Sequence, residues 1–222
     1  MLDTKRIPFS PTPRRSAAAI VLLAVMLASS TSCDRQPPTA DSRQDGSDAI
    51  PSAAGQKLLD DYSDPTRNKH GVERLLIDDQ SAGSASQATQ TCENGVLAVQ
   101  GELVPGRGVP AFISLASPLA ADGTPMDLTA NQGVRLRVNV TRGMLSVQVS
   151  SAEISNYDFH TSAPIVAKRG EFQEVRIPFQ EMKRGWSEQT ALNLQSITSI
   201  NLVSFSMAKD SFAYEVDEIG FY

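Results

Sequence analysis

The chain has 222 residues, 20% of them charged, and a formal net charge of −5. One ordinary domain with extensions fits that length, and the acidic balance argues against a nucleic-acid or anionic-membrane surface, because phosphate binding needs clustered Lys and Arg. Two cysteines exclude a disulfide scaffold and any multi-cysteine zinc site.

Residues 1–32 read as an export signal. Lys5, Arg6, Arg14 and Arg15 form a basic leader, and an uncharged apolar run follows from Ala17 to Ala28. The run suits a signal-peptide core and is too short to cross the roughly 30 Å hydrocarbon layer as a helix. Ser29-Ser30-Thr31-Ser32 then lead to Cys33, an arrangement that resembles a bacterial lipoprotein signal with Cys33 as the lipidated residue. Ser30 departs from that pattern, which favours Leu three positions before the cysteine. An ordinary secretory signal and a retained N-terminal anchor are the competing readings. Several acyl chains on one cysteine would hold a membrane stably, each buried methylene contributing about 0.8 kcal/mol. Residues 33–56 form the lipidated cysteine and a flexible tether: three prolines with Ser, Asp and Gln, too little apolar surface to offset the entropy of ordering. The expected location is the bacterial cell envelope, membrane-anchored and facing the periplasm or the exterior.

Residues 57–222 read as a domain built from strands. Runs rich in β-branched and large apolar residues occur at 57–62, 73–77, 95–104, 111–119, 133–140, 145–151, 172–179, 197–206 and 212–222. In Val134-Arg135-Leu136-Arg137-Val138-Asn139-Val140 the apolar side chains fall on one face and the polar ones on the other. Val175-Arg176-Ile177-Pro178-Phe179 repeats the pattern. Period-2 alternation of this kind means one buried and one wet face, hence largely antiparallel sheets. Arg142-Gly143 between two runs predicts a tight hairpin. Helical turns are expected only at 179–184 and 189–194. Many short strands and few helices predict an all-β, antiparallel β-sandwich or barrel, and the sandwich is the expected form.

Four segments carry a family resemblance. They are Asn131-Gln-Gly-Val-Arg-Leu-Arg-Val138, Asn156-Tyr-Asp-Phe-His-Thr161, Phe172-Gln-Glu-Val-Arg-Ile-Pro-Phe179 and Phe212-Ala-Tyr-Glu-Val-Asp-Glu-Ile-Gly-Phe-Tyr222. In order and spacing they resemble the complex I intermediate-associated protein 30 family, which is similar in fold to the galactose-binding jelly rolls of carbohydrate-binding modules. Asp60-Asp61-Tyr62 also fits the family's opening. The departure lies at 78–84, where many members have a Gly-Gly-Ser turn preceded by an aspartate and only Gly83-Ser84 clearly survives. The resemblance implies a non-enzymatic binding or assembly role, since mitochondrial relatives look like assembly factors for respiratory complex I.

The search for catalytic motifs finds no Gly-x-Ser-x-Gly, His-Glu-x-x-His or phosphate-binding loop. His70 and His160 are the only histidines, too few for a histidine-rich metal centre. Cys92 has no intrachain partner once Cys33 is acylated, which predicts a buried structural thiol. Tyr157, Asp158, His160 and Trp186 are the candidate ligand-binding residues. The competing readings are a solvated edge strand for the first three, and for Trp186 a plug at the end of the sandwich core. Asp60, Asp61 and Asp217, with Glu218, would lie near one another if the first and last strands pair, giving a candidate structural Ca2+ site; no other cofactor is expected. Acids spaced along strand edges against aggregation are the plainer reading.

The expected function is an exported, lipid-anchored, non-catalytic binding module with a protein-interaction or complex-assembly role in the cell envelope. The alternative is a carbohydrate-binding lipoprotein recognising envelope or environmental glycans. The expected partners are the membrane, through the lipid, and a protein or glycan, with no nucleic acid.

Overall fold

The computed structural model describes residues 58–222 apart from Arg169; the signal, Cys33 and the tether lie outside the described residues. Twelve strands run in chain order: β1 Leu58–Asp60, β2 Leu75–Asp78, β3 Gln87–Glu93, β4 Val96–Leu103, β5 Ala111–Pro118 and β6 Gly133–Arg142, then β7 Met144–Ser151, β8 His160–Thr161, β9 Ile165–Val166, β10 Gln173–Pro178, β11 Ile197–Ser206 and β12 Asp210–Phe221. Three single 3-10 turns, at Gln80–Ala82, Phe179–Glu181 and Leu194–Ser196, are the helical elements among the described residues. The turn after Pro178 is where the sequence places it. The second begins at Leu194 rather than 189, capped by the Asn193 side chain, which accepts from the Gln195 amide.

Every strand pair is antiparallel. The first sheet has the order β10-β6-β12-β4-β3, with β1 also against β12; the second has the order β2-β5-β11-β7-β8, with β9 against β7. Leu58 stands opposite Gly220 and Asp60 opposite Ile219, so the first and last strands do lie side by side. Leu136, Val138, Tyr214 and Val216 face Ile113, Leu115, Val147 and Leu202 in one continuous core between the layers. An all-β sandwich is therefore the architecture.

Two local expectations are corrected. Arg142-Gly143 is no hairpin: β6 pairs with β10 and β12, whereas β7 pairs with β8, β9 and β11. Gly143 alone separates them and carries the chain from one sheet to the other at φ 70°, and a Cβ there would stand 2.9 Å from the Ser211 carbonyl oxygen. Without a side chain the backbone turns there at little cost. β3, β8 and β9 lie outside the predicted runs. β3, with the sequence QATQTCE, is an edge strand whose only apolar side chains are small, and β8 and β9 have two residues each.

The two outer faces differ in chemistry. On the first sheet, alternation turns Arg135, Arg137, Asn139, Glu215 and Glu218 outward. Arg135 pairs with Glu218, Arg137 with Asp217, and Asn139 donates to Glu215 at 3.0 Å. That face neutralises itself with charge ladders. On the second sheet one row of cross-strand partners reads Leu75, Ala116, Asn201, Gln148, Thr161. The next reads Ile77, Ser114, Val203, Ser146, with Phe112 opposite Phe205 beyond it. None of these outward side chains is charged. Lys183, bridged to Thr161, and Glu73, two residues before Leu75, bring charge at the two edges of this face.

Candidate functional site

Three buried carboxylates show how the loops around the sandwich are held. Asp60 accepts from Arg74 Nη1 at 2.6 Å and from the Tyr62 amide at 2.9 Å. Burial pushes its carboxyl up, against the pull of that amide and of Arg74. Asp79 accepts from the Ser86 amide and hydroxyl and, across the sheet, from the Phe112 amide. Asp79 is therefore the aspartate that pins the irregular 78–84 turn, where Gly83 takes φ 92° and Ser84 Oγ donates to the Pro110 carbonyl. Sequence reasoning missed this role because the pin is long-range, from residue 79 to 112.

Asp158 is the third, and it organises the cluster singled out from sequence. Its Oδ1 accepts from the Gly185 amide at 2.7 Å; its Oδ2 accepts from the amides of Trp186 at 3.0 Å and Ser187 at 2.6 Å. Burial opposes its charge, but bonds from Ser187, Gly185 and Trp186 outweigh it and hold the carboxyl below the ordinary carboxylate value. Three consecutive amides around one carboxylate make an anion nest closed by the protein's own acid. Asp158 is thus buried, with both oxygens engaged by its own protein's loop. His160 is also turned inward, opposite Val149: its Nε2 donates to the Thr190 carbonyl at 2.7 Å, and its Nδ1 is buried without a partner.

Tyr157 and Trp186 behave oppositely. They are 72% and 75% exposed, so Trp186 is no core plug. Both ride on loops tied together: Asn156 Nδ2 donates to Ser187 Oγ, Arg184 Nη2 to Asn156 Oδ1, and Arg184 Nε to the Asp158 carbonyl. Of the four candidates, two point into solvent, and the other two build the support.

The acids proposed for Ca2+ do not converge. Asp60 faces Arg74, Asp61 faces Lys69 at 2.6 Å, and Asp217 faces Arg137. Lys69 and Ser63 hold the Asp61 carboxyl down to about 2, whereas burial pushes Asp217 up despite Arg137. Each carboxylate already has its own cation, and adjacent strand residues point to opposite faces. Among the described residues no group of three His, Cys, Asp or Glu is arranged to hold a metal ion. Cys92 is half-buried; its Sγ donates to the Tyr62 carbonyl at 3.3 Å, and burial pushes the thiol up. Two open clefts, of about 350 and 580 Å3, lie beside β9 and β10 and along β3 and β4, and neither is lined by a histidine or cysteine.

With this geometry in view, the comparisons place the chain. The family model described as complex I intermediate-associated protein 30 matches residues 66–216. The chain belongs to that family. The match covers the sandwich from the segment before β2 into the central strand β12. Curated proteins returned no match. Among solved structures, the chain is similar to the family 11 carbohydrate-binding module of the cellulosomal cellulase Lic26A-Cel5E of Clostridium thermocellum. The identity is 15%, the TM-score 0.55, and 74% of this chain and 92% of that one are covered. A second structure of the Clostridium thermocellum family 11 module, in complex with a β-1,3-1,4-mixed-linked tetrasaccharide, gives 15% identity, a TM-score of 0.56 and coverage of 74% and 94%. At that identity the likeness establishes the jelly-roll sandwich fold.

Proposed function

We propose that this family member is an exported, lipid-anchored, non-catalytic binding module that docks a protein partner on the outer face of the second sheet. The observation that carries the reading is the uncharged row structure of that face, with Leu75 at 48%, Ile77 at 44% and Phe205 at 50% exposure. Large apolar side chains clustered without intervening charge are what a partner covers. The opposite face, with its internal ion pairs, has little to gain from desolvation. The family's name, which refers to an assembly intermediate, supports a protein as the occupant. A non-catalytic reading is supported by the fate of the buried acids: Asp60, Asp79 and Asp158 are all engaged in holding loops.

The test is affinity purification of the full membrane-tethered chain, beside an Ile77→Lys, Phe205→Lys double variant and a Glu215→Gln variant on the other face. All three are checked for unchanged melting. A partner retained by the parent and by Glu215→Gln, and lost by the double variant, is expected; retention by the double variant refutes the docking face. For the anchor, mass measurement of the mature N-terminus should find acylated Cys33 without residues 1–32. An unmodified Cys33 refutes lipidation.

A further inference from the structure

From the loops at 154–159 and 183–190 we infer that Trp186, with Tyr157 on the loop tied to its own, is a stacking platform for a neutral saccharide, distinct from the docking face. The first observation is the cost of presenting these rings. Tyr157 holds φ 61°, a left-handed conformation that a bulky residue rarely adopts. The backbone that carries Trp186 is held by the buried Asp158 carboxylate through the residue's own amide and the amides on either side. Gly185 has no side chain to spare there: a Cβ would stand 3.1 Å from Asp158 Oδ1. Gln189 closes the loop, its Oε1 accepting from the Arg184 amide and its Nε2 donating to the Arg184 carbonyl. A strained residue, a buried charge and a side-chain clasp shape the two loops that expose these rings, and Tyr157 is met edge-on by Phe159.

The second observation decides what the rings meet. A protein hot spot sits at the centre of an apolar patch that excludes water. Here the neighbours are polar: Ser155, Asn156, Glu188 and Gln189 are exposed and Ser187 is partly so. Asn156 Nδ2 uses one proton on Ser187 Oγ, leaving its second N–H and the Ser187 hydroxyl proton to donate outward. A flat indole flanked by amide and hydroxyl groups matches the two surfaces of a pyranose: an apolar C–H face to lie on the ring, and hydroxyls around its edge to pair with side chains. Preorganisation removes the ordering cost that a mobile loop would bring to so small a ligand.

The chain's only tryptophan is its own reporter. The purified protein is titrated with the tetrasaccharides of N-acetylglucosamine and of β-linked glucose while Trp186 emission is followed. A saturable blue shift with at least one of them is expected, together with an affinity loss of about tenfold in Tyr157→Ala. Trp186→Ala, followed by calorimetry, should abolish binding at unchanged melting temperature, and Ile77→Lys with Phe205→Lys should leave it intact. No saturable shift with either tetrasaccharide overturns the platform. So does a Trp186→Ala variant that still binds sugar, or one that instead loses the protein partner captured by the parent.

Discussion

Replacing Asp158 by Asn isolates the support of the exposed rings. The carboxylate accepts three backbone amides, one on Oδ1 and two on Oδ2, at 2.6–3.0 Å. Asparagine is isosteric but has one acceptor oxygen and one amide donor. If its oxygen takes the Oδ2 position, the Gly185 amide meets a donor; in the other orientation the amides of Trp186 and Ser187 do. One or two charge-assisted bonds are lost either way, each contributing about 1.5–3 kcal/mol. Part of that loss is recovered by letting the loop detach into water, so the expected destabilisation is about 2–4 kcal/mol. At about 2–4 °C per kcal/mol for a domain of this size, melting should fall by about 5–15 °C. The local signature matters more. Trp186 is already exposed, so its emission maximum should barely move, while its fluorescence anisotropy drops as the loop gains freedom. A variant that melts within about 2 °C of the parent, with unchanged Trp186 anisotropy, would show that the nest does not hold the loop.

Acid should produce the same effect in the parent chain. Because the folded carboxyl of Asp158 lies below its ordinary value, its contribution is fully present above the unfolded carboxyl range near about pH 4 and is lost as pH falls through the lower folded value. Trp186 anisotropy should therefore decline below about pH 4 and be nearly flat there in Asp158→Asn; the same profile in both proteins would refute the assignment. Arg74→Met should cost about 3–5 kcal/mol in urea unfolding, since it leaves Asp60 buried without its cation, and a cost under about 1 kcal/mol would contradict a structural ion pair. Gly133→Ala should reduce soluble yield or lower melting by many degrees, because the new Cβ would stand 2.2 Å from the Ile177 carbonyl oxygen and force β10 off β6. Unchanged melting would refute that packing.

The alternating residues of β6 and β10 made the sandwich legible, since a two-residue period admits only one buried face. The segments that stayed hidden lacked that contrast. β3 shows no large apolar side chain because an edge strand covers little core, and β8 exists only because Gln148 and Val149 offer it partners. Gly143 looked like a hairpin because local sequence encodes a turn and not the sheet to which the next strand goes. At the candidate site, the Tyr157–His160 segment stood out by composition. Which of its side chains would be exposed depended on Gly185, Trp186 and Ser187, nearly thirty residues away, and no spacing rule connects them. The uncharged face was equally invisible: it is assembled from β2, β5, β7, β8 and β11, each contributing only a few outward positions and β8 a single one, Thr161, and becomes a surface only through strand order.

The place of β12 in the first sheet governs when this protein can fold. It lies between β6 and β4 and also receives β1, so strands made early in synthesis wait for one made after all of them. Until residues 210–221 are free to join, β4 and β6 have no common neighbour and the inner faces of that layer stay open. Such late closure through distant pairings slows folding and leaves a long interval in which the polypeptide is still threadable. A chaperone or translocation channel engaging it during that interval would meet an extended substrate rather than a finished domain.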